Sequence, residues 1–317
     1  MGAPVVRDVA EKLGLNPKRF LIPLSYVAVL GGCCTLIGTS TNLLVNDMAS
    51  LAGQPRFGIF EISGVGVVMA VVGGIYLYFA SRWLEKPGVT HQIQSKPLHD
   101  PDLHQLQLGE PDVFAKGHKL VAWKAIASGL VFLGVIALAA VDVAPIAAAA
   151  FGGAVLLIVL KVITADEAYR GLRPDILILI AGMVVLGIAL EKTGLAASMT
   201  RMMVGSLDSL SPFLALVLLY GATLFLTEIL SNATIAVLVT PVAVALAETM
   251  AVSPRPFVVA VMMGGSAAFA TPFGYQTNTL VFQMGNYSYM DFVKIGLPLN
   301  LVTWAAAAMA IPYFFPF

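Results

Sequence analysis

The sequence has little charge. Only 11% of its 317 residues are charged, while 58% are hydrophobic. Soluble domains carry roughly 25% charged residues, so this composition excludes an ordinary water-soluble domain. Neither sign dominates: eighteen basic residues face eighteen acidic ones. A global field that would draw nucleic acid is therefore missing. Cysteine is nearly absent, and the two present, Cys33 and Cys34, are adjacent. That excludes a disulfide framework and a Cys-based metal spacing, and both read as small packing residues. Histidine is confined to His91, His99, His104 and His118, all outside the apolar stretches and in no ligand-like spacing. With no Asp pair and no Ser–Lys pair at membrane depth either, the chain does not read as an intramembrane enzyme. The first 20 residues hold Arg7, Asp8, Glu11, Lys12, Lys18 and Arg19, a pattern unlike a cleavable signal peptide.

What is there is length of apolar run. Long apolar stretches fall at about 20–37, 59–84, 119–141, 144–164, 174–190, 212–250, 256–288 and 292–316. Crossing a bilayer as a helix takes about 20 such residues. The runs are continuous and do not alternate, so they read as helices and not as barrel strands. The expected fold is an all-α, polytopic membrane protein. Between spans, 86–118 is polar and reads as a solvated linker. With that linker in the cytoplasm, fourteen of the eighteen Lys and Arg fall inside, leaving Arg56, Lys192, Arg201 and Arg255 outside. The positive-inside rule then puts the linker in the cytoplasm and the C-terminus outside, in a plasma or bacterial inner membrane.

The chain repeats itself. Residues 10–20 read AEKLGLNPKRF and 247–257 read AETMAVSPRPF. Further on, GTSTNLLV at 38–45 matches GYQTNTLV at 274–281 once a one-residue gap is allowed. Internal repeats of inverted topology are common in secondary transporters. On this reading 1–85 is the remnant of a first repeat and 119–317 is a complete second one. The counterpart of 119–237 would precede Met1, which suggests an N-terminally truncated chain.

Two interruptions carry the chemistry. The stretch 212–250 is too long for one span and has a polar knot at its centre, Thr227, Glu228, Ser231, Asn232 and Thr234. A re-entrant hairpin explains both facts, with Ser231 or Asn232 capping the second arm. Such a tip points free N–H groups and a positive dipole end into the membrane. The second interruption, at 271–278, holds Thr271, Pro272, Gly274, Tyr275, Gln276, Thr277 and Asn278, which should break the helix expected over 255–288. Its repeat partner is Gly38, Thr39, Ser40, Thr41 and Asn42. Paired interruptions in two halves mark a carrier's binding site. No Lys or Arg occurs at 20–55, 202–254 or 256–293. A bound anion would thus be met by dipoles, hydroxyls and amides, helped by co-bound cations on hard oxygen ligands. Glu228, an acid at membrane depth, is a functional candidate; a protonated side chain and bonding to the backbone at the hairpin tip are the alternatives.

At these residues, PLSYVAVLGGCCTLIGTSTNLLV, LTEILSNAT and ATPFGYQTNTLVF, the sequence resembles the divalent anion–sodium symporter family. The resemblance implies an inverted-repeat transporter fold with one sodium ion per half and the anion between the halves. It implies sodium at Thr227, Leu230, Asn232 and Gly274 in the second half and at Gly38 and Asn42 in the first. It implies anion contacts from Ser231, Asn232, Ala233, Thr234, Thr39, Ser40, Tyr275, Gln276 and Asn278. Ala233 stands where the family usually has Thr, and Tyr275 and Gln276 stand where many members have Thr and Pro. The expected activity is sodium-coupled symport of a small divalent anion, sulfate or a C4-dicarboxylate such as succinate, or citrate. The expected setting is a homodimer in the lipid bilayer, with no nucleic acid and no organic cofactor. The rival expectations are a proton- or sodium-coupled carrier of an arsenite- or silicate-type oxyanion and a truncated, non-transporting membrane protein.

Overall fold

The computed structural model describes residues 2–81, 121–141, 146–171, 193 and 211–317. The expected linker 86–118 and the apolar stretch 174–190 lie outside the described residues. In chain order the helices are α1 (Gly2–Lys12), α2 (Lys18–Gly32), α3 (Ser40–Leu51), α4 (Ser63–Ala80), α5 (Ala122–Ala140) and α6 (Ile146–Val159). They continue with α7 (Ala165–Gly171), α8 (Pro212–Thr227), α9 (Asn232–Thr249), α10 (Pro254–Ser266), α11 (Gln276–Gly285) and α12 (Tyr289–Phe314). The described residues contain no strand, so the fold is all-α. Among them α4, α5, α9 and α12 are long and apolar enough to cross a membrane, eighteen residues giving about 27 Å of helix. The chain is a polytopic membrane protein.

Two compact units are present: Met1–Glu85 with Arg173–Phe317, and Lys86–Leu172. Residues 119–172, grouped with the second repeat by the sequence, belong to the smaller unit. There α5 and α6 run antiparallel. Lys124 near the start of α5 donates to the carbonyl of Val162 beyond α6, at 3.0 Å, while Gly153 of α6 faces Val131 and Val135. Thr164 and Glu167 cap α7 reciprocally, each side chain accepting the other's backbone N–H. Only 6% of the apolar window of α5 is buried, against 56% in α12. A helix apolar on nearly every side needs lipid or protein around it.

In the larger unit the helices that carry the matching sequence segments pack in matching pairs. Helix α2 packs on α11 and α10 on α3; α2 packs on α4 and α10 on α12; α1 packs on α2 and α9 on α10. The start of α2 meets the far end of α11, since Lys18 Nζ donates to the Asn286 carbonyl and the Ile22 amide to the Tyr287 hydroxyl. Further along α2, Ser25 meets Thr277 and Asn278 at the beginning of α11. The pair is therefore antiparallel. Helices α10 and α3 do the same: Arg255 at the start of α10 pairs with Glu61 and donates to the Pro55 carbonyl, beyond the end of α3. At the other end Ser266 donates to Asn42 in the first turn of α3. The helices that carry the matching segments thus pack in matching antiparallel pairs.

The helix ends follow from local sequence. Ser211–Pro212 and Ser253–Pro254 start α8 and α10, the serine side chain accepting from the first turn and proline sitting at its first position. Both broken helices lose their first arm just after a glycine pair, Gly31 and Gly32 in one half, Gly264 and Gly265 in the other. The carbonyls freed at each break are then satisfied by hydroxyls. Tyr26 donates to Phe269 at 2.6 Å, and Ser63 to Cys34 at 2.7 Å. Close approach matters as well. Gly66 of α4 lies against the Cys33 carbonyl and Gly296 of α12 against the Phe269 carbonyl, where a methyl group would collide with backbone.

Candidate ion and anion site

The run 212–250 is two helices. Helix α8 ends at Thr227, the chain turns through Glu228, Ile229 and Leu230, and Ser231 caps α9 by accepting the Thr234 amide at 3.2 Å. Ser231 and Thr234 also bond through their hydroxyls at 2.7 Å. The arms pack on each other and both pack on α10.

Thr227 is wholly buried, and its hydroxyl lies 2.7 Å from Asn232 Oδ1 and 3.1 Å from the Gly265 carbonyl. Three oxygens from the hairpin and from the last turn before the break thus lie together around the Thr227 hydroxyl. Hydroxyl, amide and carbonyl oxygens are the donors a hard monovalent cation takes. The Gly265 carbonyl is absent from the sequence-derived set. Its availability depends on the helix ending one residue later, which no motif announces.

Glu228 joins the tip to the second break. Its Oε1 accepts from the Ala270 amide and from Asn300 Nδ2, both at 2.7 Å. Its Oε2 accepts from the Thr271 amide at 2.9 Å and from the Thr271 hydroxyl at 2.8 Å. The Thr271 hydroxyl in turn receives the Gly274 amide at 3.1 Å. Glu228 is therefore bonded to backbone, but to amides of the second break and not within the hairpin tip. Asn300, a fully buried residue of α12, was not legible as part of the site; its Oδ1 is left without a partner.

The two asparagines at the breaks are buried and tied inward. Asn278 Nδ2 donates to the carbonyls of Ala268 and Thr271, at 2.9 and 3.2 Å, and its Oδ1 accepts from Ser25 at 2.7 Å. Asn42 Nδ2 donates to the Thr35 carbonyl at 3.1 Å. Positions 42 and 278, like 35 and 271, differ by the same 236 residues that separate Thr39 from Tyr275. The repeat thus extends to a single shared hydrogen bond. Geometrically each amide holds its own unwound segment in shape.

Three helix N-termini meet here. Thr39 caps α3 and Tyr275 caps α11, both with φ −143° and ψ 144°, and their hydroxyls are 2.9 Å apart. Gly265 faces Thr41 and Ile235, in the first turns of α3 and α9. Positive dipole ends of α3, α9 and α11 are thereby gathered around residues that carry no formal positive charge. Of the other sequence-derived residues, Gly38, Ser40, Ser231 and Gln276 are exposed, and Asn232, Ala233, Thr234 and Gly274 are half-buried. Leu230 is 42% exposed and its amide closes the last turn of α8. All these residues lie at the tip or at one of the two breaks.

The citrate transporter family model matches residues 1–264. The uncharacterized transporter YfbS of Escherichia coli is 38% identical over 57% of this chain, an alignment covering 30% of that relative. Sodium/sulfate cotransporter 2 of Chlamydomonas reinhardtii is 33% identical over 50% of this chain and 18% of its own length. The sodium-dependent dicarboxylate transporter SdcS of Staphylococcus saprophyticus is 22% identical over 96% of this chain and 60% of its own. This chain therefore spans less than two thirds of the length of each of these relatives. These three relatives are named as transporters, and the family model covers most of the chain: this multi-pass membrane protein belongs to the citrate transporter family.

Proposed function

We propose that this chain forms the ion- and anion-binding part of a sodium-coupled symporter for a small divalent anion. The carrying observation is the junction of hairpin tip and broken helix. Thr227, Asn232 and the Gly265 carbonyl supply hard oxygens at one spot, beside the N-termini of α3, α9 and α11. Sodium takes the oxygens, and the anion takes the dipole ends. Each ion lowers the cost of holding the other in a pocket of low dielectric, and that mutual help is the coupling. Gly38 and Asn42 form the corresponding ion site at the first break, with Gly274 and Leu230 completing the second. Ser40, Ser231, Thr234 and Gln276 present polar groups to the anion, and Asn278 keeps the broken segment open beneath it.

Relatives named for sodium/sulfate and sodium-dependent dicarboxylate transport support this substrate class. The working protein is a homodimer in a cell membrane, with residues 86–118 in the cytoplasm. Uptake of labelled sulfate and succinate into proteoliposomes, with and without an inward sodium gradient, tests the proposal. Sodium-driven uptake of either anion is the expected result. Uptake indifferent to sodium, or uptake of neither anion, refutes it.

A further inference from the structure

The two halves of the chain place different side chains at one equivalent position. Thr39 and Tyr275 are both N-caps of the second arm of a broken helix, with the same backbone dihedral angles. The threonine side chain turns back and accepts the Thr41 amide of its own helix. The tyrosine makes no capping bond. Its ring instead packs along the core and carries its hydroxyl across to Thr39, at 2.9 Å. Thr39 is only 5% exposed, so the bond is pinned from below. One aromatic ring thus occupies space between the N-termini of α3 and α11 that two threonines would leave open.

We infer that Tyr275 sets the length of the anion this site accepts, favouring a compact tetrahedral dianion of the sulfate class over a four-carbon dicarboxylate. The inference rests on the anion-binding reading above. A tetrahedral dianion concentrates its charge on oxygens around one atom. Those oxygens can reach several helix ends while the phenol stays on Thr39. A four-carbon dicarboxylate carries its charges at two ends of a chain. To reach opposite helix ends it has to displace the ring from between α3 and α11 and give up the Tyr275–Thr39 bond.

The test is sodium-dependent thermal stabilisation of the purified chain by sulfate and by succinate, at equal sodium, with choline salts as controls. The natural chain is expected to respond to sulfate at concentrations about tenfold lower than to succinate, the scale on which pocket length discriminates. Tyr275→Thr, and Tyr275→Leu as a second variant in case the first folds poorly, should bring the two anions together. Tyr275→Phe keeps the ring and should keep the preference. If the natural chain answers to neither anion, the binding reading itself is overturned and the inference with it. If it answers equally to both, or if the threonine and leucine variants keep the preference, Tyr275 is not the determinant, while the binding site stands.

Discussion

Glu228 and Thr271 are bonded twice through one carboxylate oxygen: the Thr271 amide and the Thr271 hydroxyl both donate to Oε2, at 2.9 and 2.8 Å. The other oxygen takes the Ala270 amide and Asn300. A carboxylate oxygen has two lone pairs, so all four sites are filled by neutral donors. The group acts as a latch that ties hairpin tip, unwound segment and α12 together.

Glu228→Gln replaces an acceptor with an N–H₂ that faces donors. It should lower the thermal stability of the purified chain by about 2 kcal/mol, the scale of a hydrogen bond to a charged group. Sodium-driven uptake should fall while the shape of its pH profile is unchanged. A variant that transports at full rate and loses pH dependence would mean that Glu228 carries the coupling proton.

Thr227→Val keeps shape and burial but removes the hydroxyl between Asn232 and the Gly265 carbonyl. The sodium concentration for half-maximal uptake should rise about tenfold, the equivalent of about 1.4 kcal/mol. Anion affinity at saturating sodium should change little. An unchanged sodium requirement would remove Thr227 from the ion site.

The sequence made the two interruptions readable because both depend on local chemistry. A glycine pair, a proline and a cluster of hydroxyls weaken a helix wherever they occur, and Ser231 caps whatever helix follows it. The repeat was readable for the same reason, since GTSTNLLV and GYQTNTLV keep the residues that make the turn. What stayed hidden is long-range. Ser25, Tyr26 and Asn300 lie in runs that read as plain membrane helix. Their importance appears only when α2 is laid against α11 and α12 against the hairpin tip. The carbonyl of Gly265 was hidden because any residue has a carbonyl; what distinguishes this one is where the helix stops.

Asn42 and Asn278 make the same bond in opposite halves. Asn42→Ala and Asn278→Ala should therefore each lower stability by about 1–3 kcal/mol, the cost of leaving a buried carbonyl unmet. Asn278→Ala should cost more, because it also strands the Ala268 carbonyl and Ser25. Thermal unfolding in matched detergent ranks them. Equal and negligible effects would show that the unwound segments hold their shape without the amides.

Gly66 and Gly296 bring α4 and α12 against a backbone carbonyl at each break, those of Cys33 and Phe269. These contacts are backbone on backbone, so a methyl group cannot be accommodated by turning a side chain. Overpacking of a dense interior costs about 1–3 kcal/mol, and more where backbone has to move. Gly74 offers the control within α4, since a methyl group added there would meet nothing within 4 Å. Gly66→Ala and Gly296→Ala should each lower the unfolding temperature and the yield of monodisperse protein. Gly74→Ala should be neutral or slightly stabilising, because alanine is the better helix former. Were all three variants to behave alike, the close approach of α4 and α12 to the breaks would not be what holds the two unwound segments in register.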